Sequence, residues 1–254
     1  MSDNPVAIIT GGSRGVGAAA AKMLSDNGWN VMITCSSSIN EAKTVAKNCA
    51  NEASEVYAFQ ADVSNNDECL ATINKALEKW NRIDALVNNA GTNRPEFFTK
   101  IKRKDMSEVV DLNIKASFDI AQLSTKIMLK SKNRKKIGGS IINLSSQLGK
   151  VGAPLRSVYN MTKFGIEGLT KGMAIDLAKH NIRVNSICPT FVETPMVKNF
   201  FKNKDFKKSV IKNIPLGKVA TESDIATAVV YLASDASSMM TGSSLVIDGG
   251  WTAK

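Results

Sequence analysis

The sequence is poor in residues on which many catalytic sites depend. It holds one histidine, His180, which excludes a Cys2His2 zinc site and would have to serve any Ser-His-Asp triad. His180 follows Lys179 at the apparent end of a helix, so we interpret it as a helix-end residue. The four cysteines show neither a CxxC pair nor metal-ligand spacing. We therefore predict no metal site, and free thiols in a reducing cytoplasm.

Long apolar runs are also missing. The segment MSDNPVAIITGG offers only VAII before the glycines, which is too short for a signal-peptide core, and no stretch approaches a membrane span. The chain has 254 residues, of which 43% are hydrophobic and 22% charged. These values are typical of a soluble globular protein, and we expect no membrane association.

Acidic residues are scarce in two segments. Residues 125–137 hold six basic and no acidic residues, and residues 195–213 hold six lysines and one aspartate. The two segments account for the whole net charge of +10. Charge confined to patches indicates solvated faces, and 125–137 lacks the interleaved aromatic residues that stack on bases. Nucleic acid is therefore not the expected partner.

Short β-rich apolar runs alternate with longer amphipathic stretches. Strands are predicted at residues 6–10, 31–35, 56–60, 83–88, 140–145, 182–187 and 244–248. Seven strands alternating with helices are typical of a parallel sheet covered on both faces. No repeat or linker divides the chain. The prediction is one α/β domain over residues 1–254 with a doubly wound Rossmann fold.

A glycine-rich turn follows the first strand. The sequence TGGSRGVG, residues 10–17, places Gly11, Gly15 and Gly17 just before a helical stretch that begins AAAAKML. Glycine permits backbone angles and close approaches that a Cβ would block, so a phosphate can reach the amide N–H groups at the helix start. A turn in this position predicts a dinucleotide site.

No carboxylate follows the second strand, where NAD sites usually have one to bind the ribose 2′-hydroxyl. The strand ends instead with Cys35, Ser36, Ser37 and Ser38. Hydroxyl and amide groups there can bind the oxygens of a 2′-phosphate, and Arg14 in the glycine turn can add positive charge. The residues favour NADP(H) over NAD(H).

A tyrosine and a lysine stand one helical turn apart in VYNMTK, residues 158–163. A free tyrosine has a pKa of about 10, and a neighbouring ammonium favours the phenolate and lowers that pKa. Taken alone, Tyr159 and Lys163 could also be an ordinary surface pair. With a dinucleotide in the same domain, Tyr159 becomes the predicted acid/base for a carbonyl or alcohol, with Lys163 as its electrostatic partner.

Together these motifs resemble the short-chain dehydrogenase/reductase family over nearly the whole chain. The glycine turn matches TGxxxGxG. The further family signatures follow in order: Asp62-Val63, Asn88-Asn89-Ala90-Gly91, Asn113, a serine after the fifth strand, and YxxxK. Thr190 is a departure, because the family commonly has glycine after this proline. The resemblance implies an oxidoreductase that uses a nicotinamide cofactor, with a substrate lid inserted at about 190–215.

The resemblance also implies a role for particular residues. The catalytic group would be Asn113, Ser146, Tyr159 and Lys163. Cofactor contacts would come from Gly11, Ser13, Arg14, Gly15, Val16, Gly17, Ser36, Ser37, Asp62, Val63, Asn89, Ala90, Gly91, Tyr159, Lys163, Pro189, Val192 and Thr194. Ser146 is preferred to Ser145 because of the family spacing to the tyrosine. Asn113 would hold a water that joins Lys163 to solvent, and a basic residue at the position of Arg14 often accompanies NADP preference.

The sequence determines the substrate less well than the fold or the cofactor. The lysines of 195–213 favour an anionic substrate, and Arg156, near Ser146 and Tyr159, could bind a carboxylate or phosphate or be an ordinary surface arginine. The first hypothesis is reduction of a 3-keto acyl thioester on a carrier protein or coenzyme A. A sugar, polyol or hydroxy-acid dehydrogenase is the alternative, and a non-catalytic dinucleotide sensor or scaffold is the alternative of another class. By resemblance we expect a homotetramer or homodimer, built through the helices of Asn113 and Tyr159 and the C-terminal strand.

Overall fold

Seven parallel strands form one sheet in the computed structural model, which describes residues 4–130 and 138–253. The strands are β1 (Val6–Ile9), β2 (Asn30–Cys35), β3 (Val56–Gln60), β4 (Ala85–Asn88), β5 (Gly139–Leu144), β6 (Ile182–Pro189) and β7 (Ser244–Ile247). Their order across the sheet is β3-β2-β1-β4-β5-β6-β7. Each predicted strand is present, because apolar runs buried on both faces are typical of parallel sheets. The predicted α/β Rossmann fold is confirmed.

Helices cover both faces of the sheet. In chain order they are α1 (Gly15–Asp26), α2 (Ile39–Cys49), α3 (Asn66–Trp80), α4 (Arg103–Val110), α5 (Ala116–Lys130), α6 (Ser157–Leu177), α7 (Pro195–Phe200), α8 (Lys204–Asn213) and α9 (Glu222–Ala233). Side chains of β1 alternate between two cores: Ile9 packs with α1, α2 and α9, whereas Ile8 packs with α3, α5 and α6. This alternation makes the sheet the middle layer of three.

The helix starts differ in a way that matters for binding. The side chain of Asn65 caps α3 by accepting from the amide of Asp67 at 2.9 Å. Thr221 and Asp224 form a reciprocal capping box at the start of α9. Helix α1 has no side-chain cap and no acidic residue in its first turn. Its first N–H groups therefore remain available to a ligand.

From β1 the chain adds β2 and β3 on one side, and it then adds β4 to β7 on the other side of β1. The strand order therefore reverses between β1 and β4. Strand β1 pairs with β2 on one side and with β4 on the other. In doubly wound sheets a ligand crevice lies at the carboxyl ends of the strands at such a point. The loops that follow β1, β4, β5 and β6 therefore converge on one edge of the sheet.

Residues 125–130 of the basic run belong to α5, and Thr125 and Met128 are buried there. Of the basic run 125–137, residues 131–137 lie outside the described residues. The segment 195–213 forms α7, α8 and their connection, and its six lysines are all exposed. The role of 195–213 as a substrate lid stays a prediction. Among the described residues, each helix is too short or too polar to span a bilayer.

Candidate active site

The glycine turn between β1 and α1 requires its predicted glycines. Gly11 has φ +67° and Gly15 has φ +60°, in the left-handed region that L side chains rarely adopt. Gly17 lies in a crowded position, where a Cβ would be 2.6 Å from the carbonyl oxygen of Gly11. The turn can therefore lie close to a ligand backbone in a way that larger residues would prevent.

Gly12 is a further requirement that the spacing argument missed. A Cβ on Gly12 would lie 2.5 Å from Cβ of Ile33 on β2, closer than real Cβ atoms approach. The Gly12 amide donates to the carbonyl oxygen of Thr34 at 2.9 Å, which fixes the turn over the end of β2. The doubled glycine in TGG was the available signal in the sequence.

The start of α1 has the properties of a pyrophosphate site. Arg14 is the N-cap residue, with extended backbone and an exposed side chain. Arg14, Gly15 and Val16 border the cavity described below, and Ser13 lies partly buried beside them. Free N–H groups at the positive end of a helix dipole suit a phosphate. The residues present therefore fit a dinucleotide cofactor.

Asn89 ties the glycine turn to the end of β4. Its side-chain amide donates to the carbonyl oxygens of Thr10 at 2.9 Å and Gly11 at 3.0 Å. In return, the Thr10 hydroxyl accepts from the amides of Asn89 and Ala90, each at 3.0 Å. Asn89 also lines the cavity. Besides its predicted contact with the cofactor, Asn89 therefore has a structural role that the sequence argument did not assign.

The ends of β2 and β3 lie side by side at the edge where the adenosine half would bind. Ser36 and Ser37 are exposed, and Val63 is buried. The carboxylate of Asp62 accepts from the amide and hydroxyl of Ser64, at 3.0 and 2.7 Å, so its position is fixed. The hydroxyls at the end of β2 are thus open to solvent and to a ligand.

A cavity of about 330 Å³ connects the glycine turn with the ends of β5 and β6. The predicted residues that line it are Arg14, Gly15, Val16, Asn89, Ser146, Arg156, Tyr159, Pro189, Val192 and Thr194. Lining residues that were not predicted are Asn93, Ser145, Gln147, Leu148, Thr190, Phe191 and Val197. The fold therefore brings the glycine turn, Ser146 and Tyr159 to one open space, whereas Asn113 and Lys163 are not part of its lining.

Ser146 and Tyr159 both line this cavity, and their hydroxyl groups are near enough to interact. The Ser146 hydroxyl also accepts from the amide of Leu148 at 3.1 Å, which orients it. Burial raises the pKa of Tyr159 to about 12, although the nearby Ser146 hydroxyl and the charge of Arg156 act to lower it. This direction is opposite to the one expected from the sequence, because desolvation outweighs the nearby charges. Tyr159 is thus held as a protonated phenol.

Lys163 lies behind the tyrosine. Its Nζ is 5.4 Å from the centre of the Tyr159 ring and donates to the carbonyl oxygen of Leu144 at 2.7 Å. Burial lowers the pKa of Lys163 to about 8, against the raising effects of Cys188 and Glu167. The ammonium is therefore close to the tyrosine, but its own charge is marginal in this buried place.

Asn113 occupies a π-helical turn between α4 and α5, residues Asp111–Lys115. Its side-chain oxygen accepts from the amide of Thr92 at 2.8 Å, and its nitrogen donates to the carbonyl of Thr92 at 3.0 Å and the hydroxyl of Thr162 at 3.1 Å. A Cβ on Gly91 would lie 3.2 Å from this Asn113 oxygen. The side chain thus joins the loop after β4 to α6. The predicted water relay through Asn113 stays a prediction.

Ser145 and Ser146 both line the cavity but have different hydrogen-bond partners. The Ser145 hydroxyl donates to the carbonyl oxygen of Lys163 at 3.4 Å, and it contributes to the lowered pKa of Glu167. Glu167, one helical turn beyond Lys163, also accepts from Lys150 at 2.6 Å and from Ser244 on β7. The choice of Ser146 as the catalytic serine stays a prediction. Glu167 was missed, although YxxxKxxxE spacing was visible.

The loop after β6 packs against the glycine turn. Val192 pairs with Ala220, and the Thr194 hydroxyl caps α7 by accepting from the amide of Val197 at 3.3 Å. A Cβ on Gly15 would lie 3.5 Å from Cγ2 of Thr194. The departure at Thr190 is accommodated, since its amide donates to the carbonyl oxygen of Ile247 at 3.1 Å.

Arg156 borders the cavity at the start of α6. Its Nη1 donates to the carbonyl oxygen of Leu155 at 3.3 Å. Partial burial lowers the pKa of Arg156, and the neighbouring Tyr159 acts in the other direction. An arginine remains charged despite such a shift, so it presents a cation to the same space as the tyrosine.

Comparison with protein families identifies the class. A family model described as enoyl-(acyl carrier protein) reductase matches residues 11–252. The chain belongs to the short-chain dehydrogenase/reductase family and is an oxidoreductase that acts on CH–OH groups with a nicotinamide dinucleotide.

Particular relatives are similar over nearly the whole chain. A 3-oxoacyl-(acyl-carrier-protein) reductase of Staphylococcus aureus is 35% identical, with 96% of each chain covered. One from Chlamydia trachomatis is 37% identical, with 97% of each covered. Among solved structures, a 3-ketoacyl-(acyl-carrier-protein) reductase from Brucella melitensis complexed with NADH has a TM-score of 0.89 and 30% identity. A mutant short-chain dehydrogenase/reductase from Serratia marcescens has a TM-score of 0.89 and 31% identity. Each of these two structures aligns over 98% of both chains.

Proposed function

We propose that the protein reduces the keto group of a 3-oxoacyl thioester and prefers NADPH. The observation that carries the proposal is that Ser146 and Tyr159 line the same cavity as Arg14, Gly15 and Val16 of the glycine turn. A phenol that is protonated at neutral pH can donate the proton that reduction of a carbonyl requires.

The residues have separate tasks in this reaction. A reduced nicotinamide bound beside the glycine turn would supply the hydride for the new C–H bond at the carbonyl carbon. Tyr159 donates its proton to the carbonyl oxygen as the C=O π bond breaks, and Ser146 donates a hydrogen bond that holds this oxygen. Lys163 places a positive charge next to the phenolate that forms, and Asn113 holds the loop behind it.

The preference for NADPH rests on charge at the end of β2. Ser36 and Ser37 are exposed there, and Arg14 is exposed at the start of α1. A 2′-phosphate would meet hydroxyl groups and a cation rather than a carboxylate. The Brucella relative carries NADH, so the cofactor family is supported while the preference is our proposal.

The thioester substrate is supported by surface charge and by the relatives. Exposed lysines on α7, α8 and their connection would attract an acidic carrier protein or coenzyme A. Arg156 at the cavity adds a cation for an anionic substrate. The relatives described above are named as reductases of 3-oxoacyl groups on acyl carrier protein. A sugar, polyol or hydroxy-acid dehydrogenase remains the second candidate within the same chemistry.

We also propose a homotetramer or homodimer. Apolar side chains are exposed on α5 and α6: Phe118, Leu129, Met161, Phe164 and Ile175. Contiguous exposed apolar patches mark protein interfaces in soluble proteins. The four cysteines are all free and buried, in keeping with the proposed cytoplasmic location. Light scattering on the purified protein measures the oligomeric state, and a monomer at micromolar concentration would refute this part.

A substrate screen tests the proposal. The purified protein is incubated with NADPH or NADH and a panel of acetoacetyl thioesters, sugars, polyols and keto acids, and nicotinamide absorbance is followed. We expect the highest kcat/KM with NADPH and an acetoacetyl thioester. Faster turnover of free sugars or polyols would reject the thioester, a preference for NADH would reject the cofactor assignment, and cofactor binding without turnover would favour a sensor.

A further inference from the structure

The cavity contains polar side chains that have no partner in the protein. In the described part of the chain, six buried side-chain atoms lack a hydrogen-bond partner, and three of them belong to residues that line this one cavity. They are Oδ1 of Asn93, Oε1 of Gln147 and Oγ1 of Thr190. Buried polar groups are nearly always paired, so their concentration in one cavity points to a bound ligand.

The backbone around these side chains is fixed by hydrogen bonds. The carbonyl oxygen of Gln147 accepts from the amides of Lys150 at 2.9 Å and Val151 at 3.1 Å. The amide of Thr190 donates to Ile247, and Thr92, just before Asn93, is held on both backbone groups by the side-chain amide of Asn113. Gln147 is 2% exposed and Thr190 is 9% exposed. Rigid backbone with unpaired side chains is the arrangement of a preorganised subsite.

The chemistry of the unpaired atoms limits what can bind. The two amide oxygens accept hydrogen bonds only, and a threonine hydroxyl accepts or donates. The reacting carbonyl oxygen of a substrate takes its hydrogen bonds from Ser146 and Tyr159 instead. The ligand must therefore bring an N–H or O–H donor in addition to its carbonyl.

We propose that Gln147, with Asn93 and Thr190, binds an amide N–H on the thiol arm of the thioester substrate. The inference rests on the proposed function. A 3-oxoacyl group and its thioester carry only hydrogen-bond acceptors, whereas the cysteamine-derived arms of carrier proteins and coenzyme A have an amide N–H beyond the sulfur. Gln147 directly follows Ser146, so the subsite adjoins the reacting carbonyl. The three residues select thioesters by the arm rather than by the acyl chain.

Two small substrates isolate this contact. The N-acetylcysteamine thioester of acetoacetate carries the amide, and the S-ethyl thioester lacks it. The measured quantity is the ratio of their kcat/KM values with NADPH. We expect the wild-type ratio to favour the amide-bearing substrate, and Gln147→Leu to lower this ratio by about tenfold, which is the effect of one hydrogen bond of about 1.4 kcal/mol.

A matched pair of threonine variants controls for general effects. Thr190→Val and Thr125→Val each remove a buried hydroxyl that has no partner, but only Thr190 lines the cavity. Thr190→Val should lower the ratio, and Thr125→Val should leave it unchanged. Neither variant breaks a side-chain hydrogen bond, so both should fold, which near-ultraviolet circular dichroism checks.

The outcomes separate the two proposals. If the wild type reduces both thioesters and neither Gln147→Leu nor Thr190→Val changes the ratio, the subsite is wrong and the proposed function stands. If Gln147→Leu or Thr190→Val lowered kcat/KM equally for both substrates, the subsite would also be rejected, because the contact would then not involve the amide. If the wild type reduces neither thioester but turns over a polyol, the proposed function fails, and the amide assignment with it.

Discussion

Glu167→Gln should destabilise the protein more than an ordinary change of one carboxylate. Glu167 is buried where α6, the turn after β5 and β7 meet. Its carboxylate accepts from Lys150 at 2.6 Å, from Ser244, and through Oε1 from the thiol of Cys188 at 3.4 Å. A glutamine side chain in this place would keep the shape but lose the charge that this set of donors requires.

The size of the expected destabilisation follows from the pKa of Glu167. Burial acts to raise it, but the hydrogen bonds from Lys150, Ser244, Ser186 and Ser145 outweigh burial and lower the pKa from 4.5 to about 2. A shift of this size corresponds to about 3 kcal/mol of stability in the ionised form. The side chain is 8% exposed, so solvent screens it little. For the same reason, we expect Glu167→Gln to lower the free energy of unfolding by about 3 kcal/mol at pH 7.

The pH dependence provides the sharper check. Because the folded pKa is below the unfolded one, this stability is present above about pH 4.5 and is lost as the pH falls towards 2. The difference in the free energy of unfolding between wild type and Glu167→Gln should therefore fall to half by about pH 3. Urea unfolding at equal protein concentration measures it, since any oligomer makes stability concentration-dependent.

A carboxylate on the surface serves as the control. Glu78 pairs with Lys75 at 2.8 Å on the exposed side of α3, so Glu78→Gln should leave the urea midpoint nearly unchanged. If Glu167→Gln behaves like Glu78→Gln at pH 7, or if its gap to wild type stays constant down to pH 3, the assigned role of the Glu167 network is wrong.

Three further predictions concern the site itself. Tyr159→Phe should lower kcat by about 10²–10⁴-fold while the Kd for NADPH, measured by fluorescence, stays within a few fold; substantial residual turnover would remove Tyr159 as the acid. The kcat/KM for reduction should fall above about pH 8, because Lys163, with its pKa lowered to about 8, loses its charge there. Lys163→Arg should abolish this decrease, since arginine stays charged. If wild type and variant show the same decrease, another group is responsible for it. Gly12→Ala should cost about 1–3 kcal/mol in urea unfolding because of the contact with Ile33, whereas Gly172→Ala, in open space on α6, should cost nothing; equal effects would contradict the crowding at Gly12.

Much of the fold could be predicted because its signals are local. A run such as VAII or IDALVN carries the pattern of a buried parallel strand whatever lies elsewhere in the chain. The glycine turn and the spacing of Tyr159 and Lys163 are local in the same sense. The differences were at the edges, where β4 begins at Ala85 rather than residue 83 and β6 continues to Pro189. Strand ends depend on pairing with neighbours, which a single segment does not contain.

The arrangement of the candidate site could not be predicted from local sequence signals alone. Sequence spacing selected Ser146, but only the packing of α6 shows that the Ser145 hydroxyl donates to the carbonyl oxygen of Lys163 while Ser146 lies near Tyr159. Gln147 has no motif at all, and its importance arises from burial without a partner. Such facts depend on atoms far apart in the chain, so no window of sequence holds them.

The sequence by itself determined the class of fold, the glycine turn after the first strand and the spacing of Tyr159 and Lys163 on one helix. The tertiary structure decided their electrostatics, including the raised pKa of Tyr159 and the lowered pKa of Lys163. The physical reason is that residue types and short spacings are written along the chain, whereas desolvation depends on everything that surrounds a group after folding.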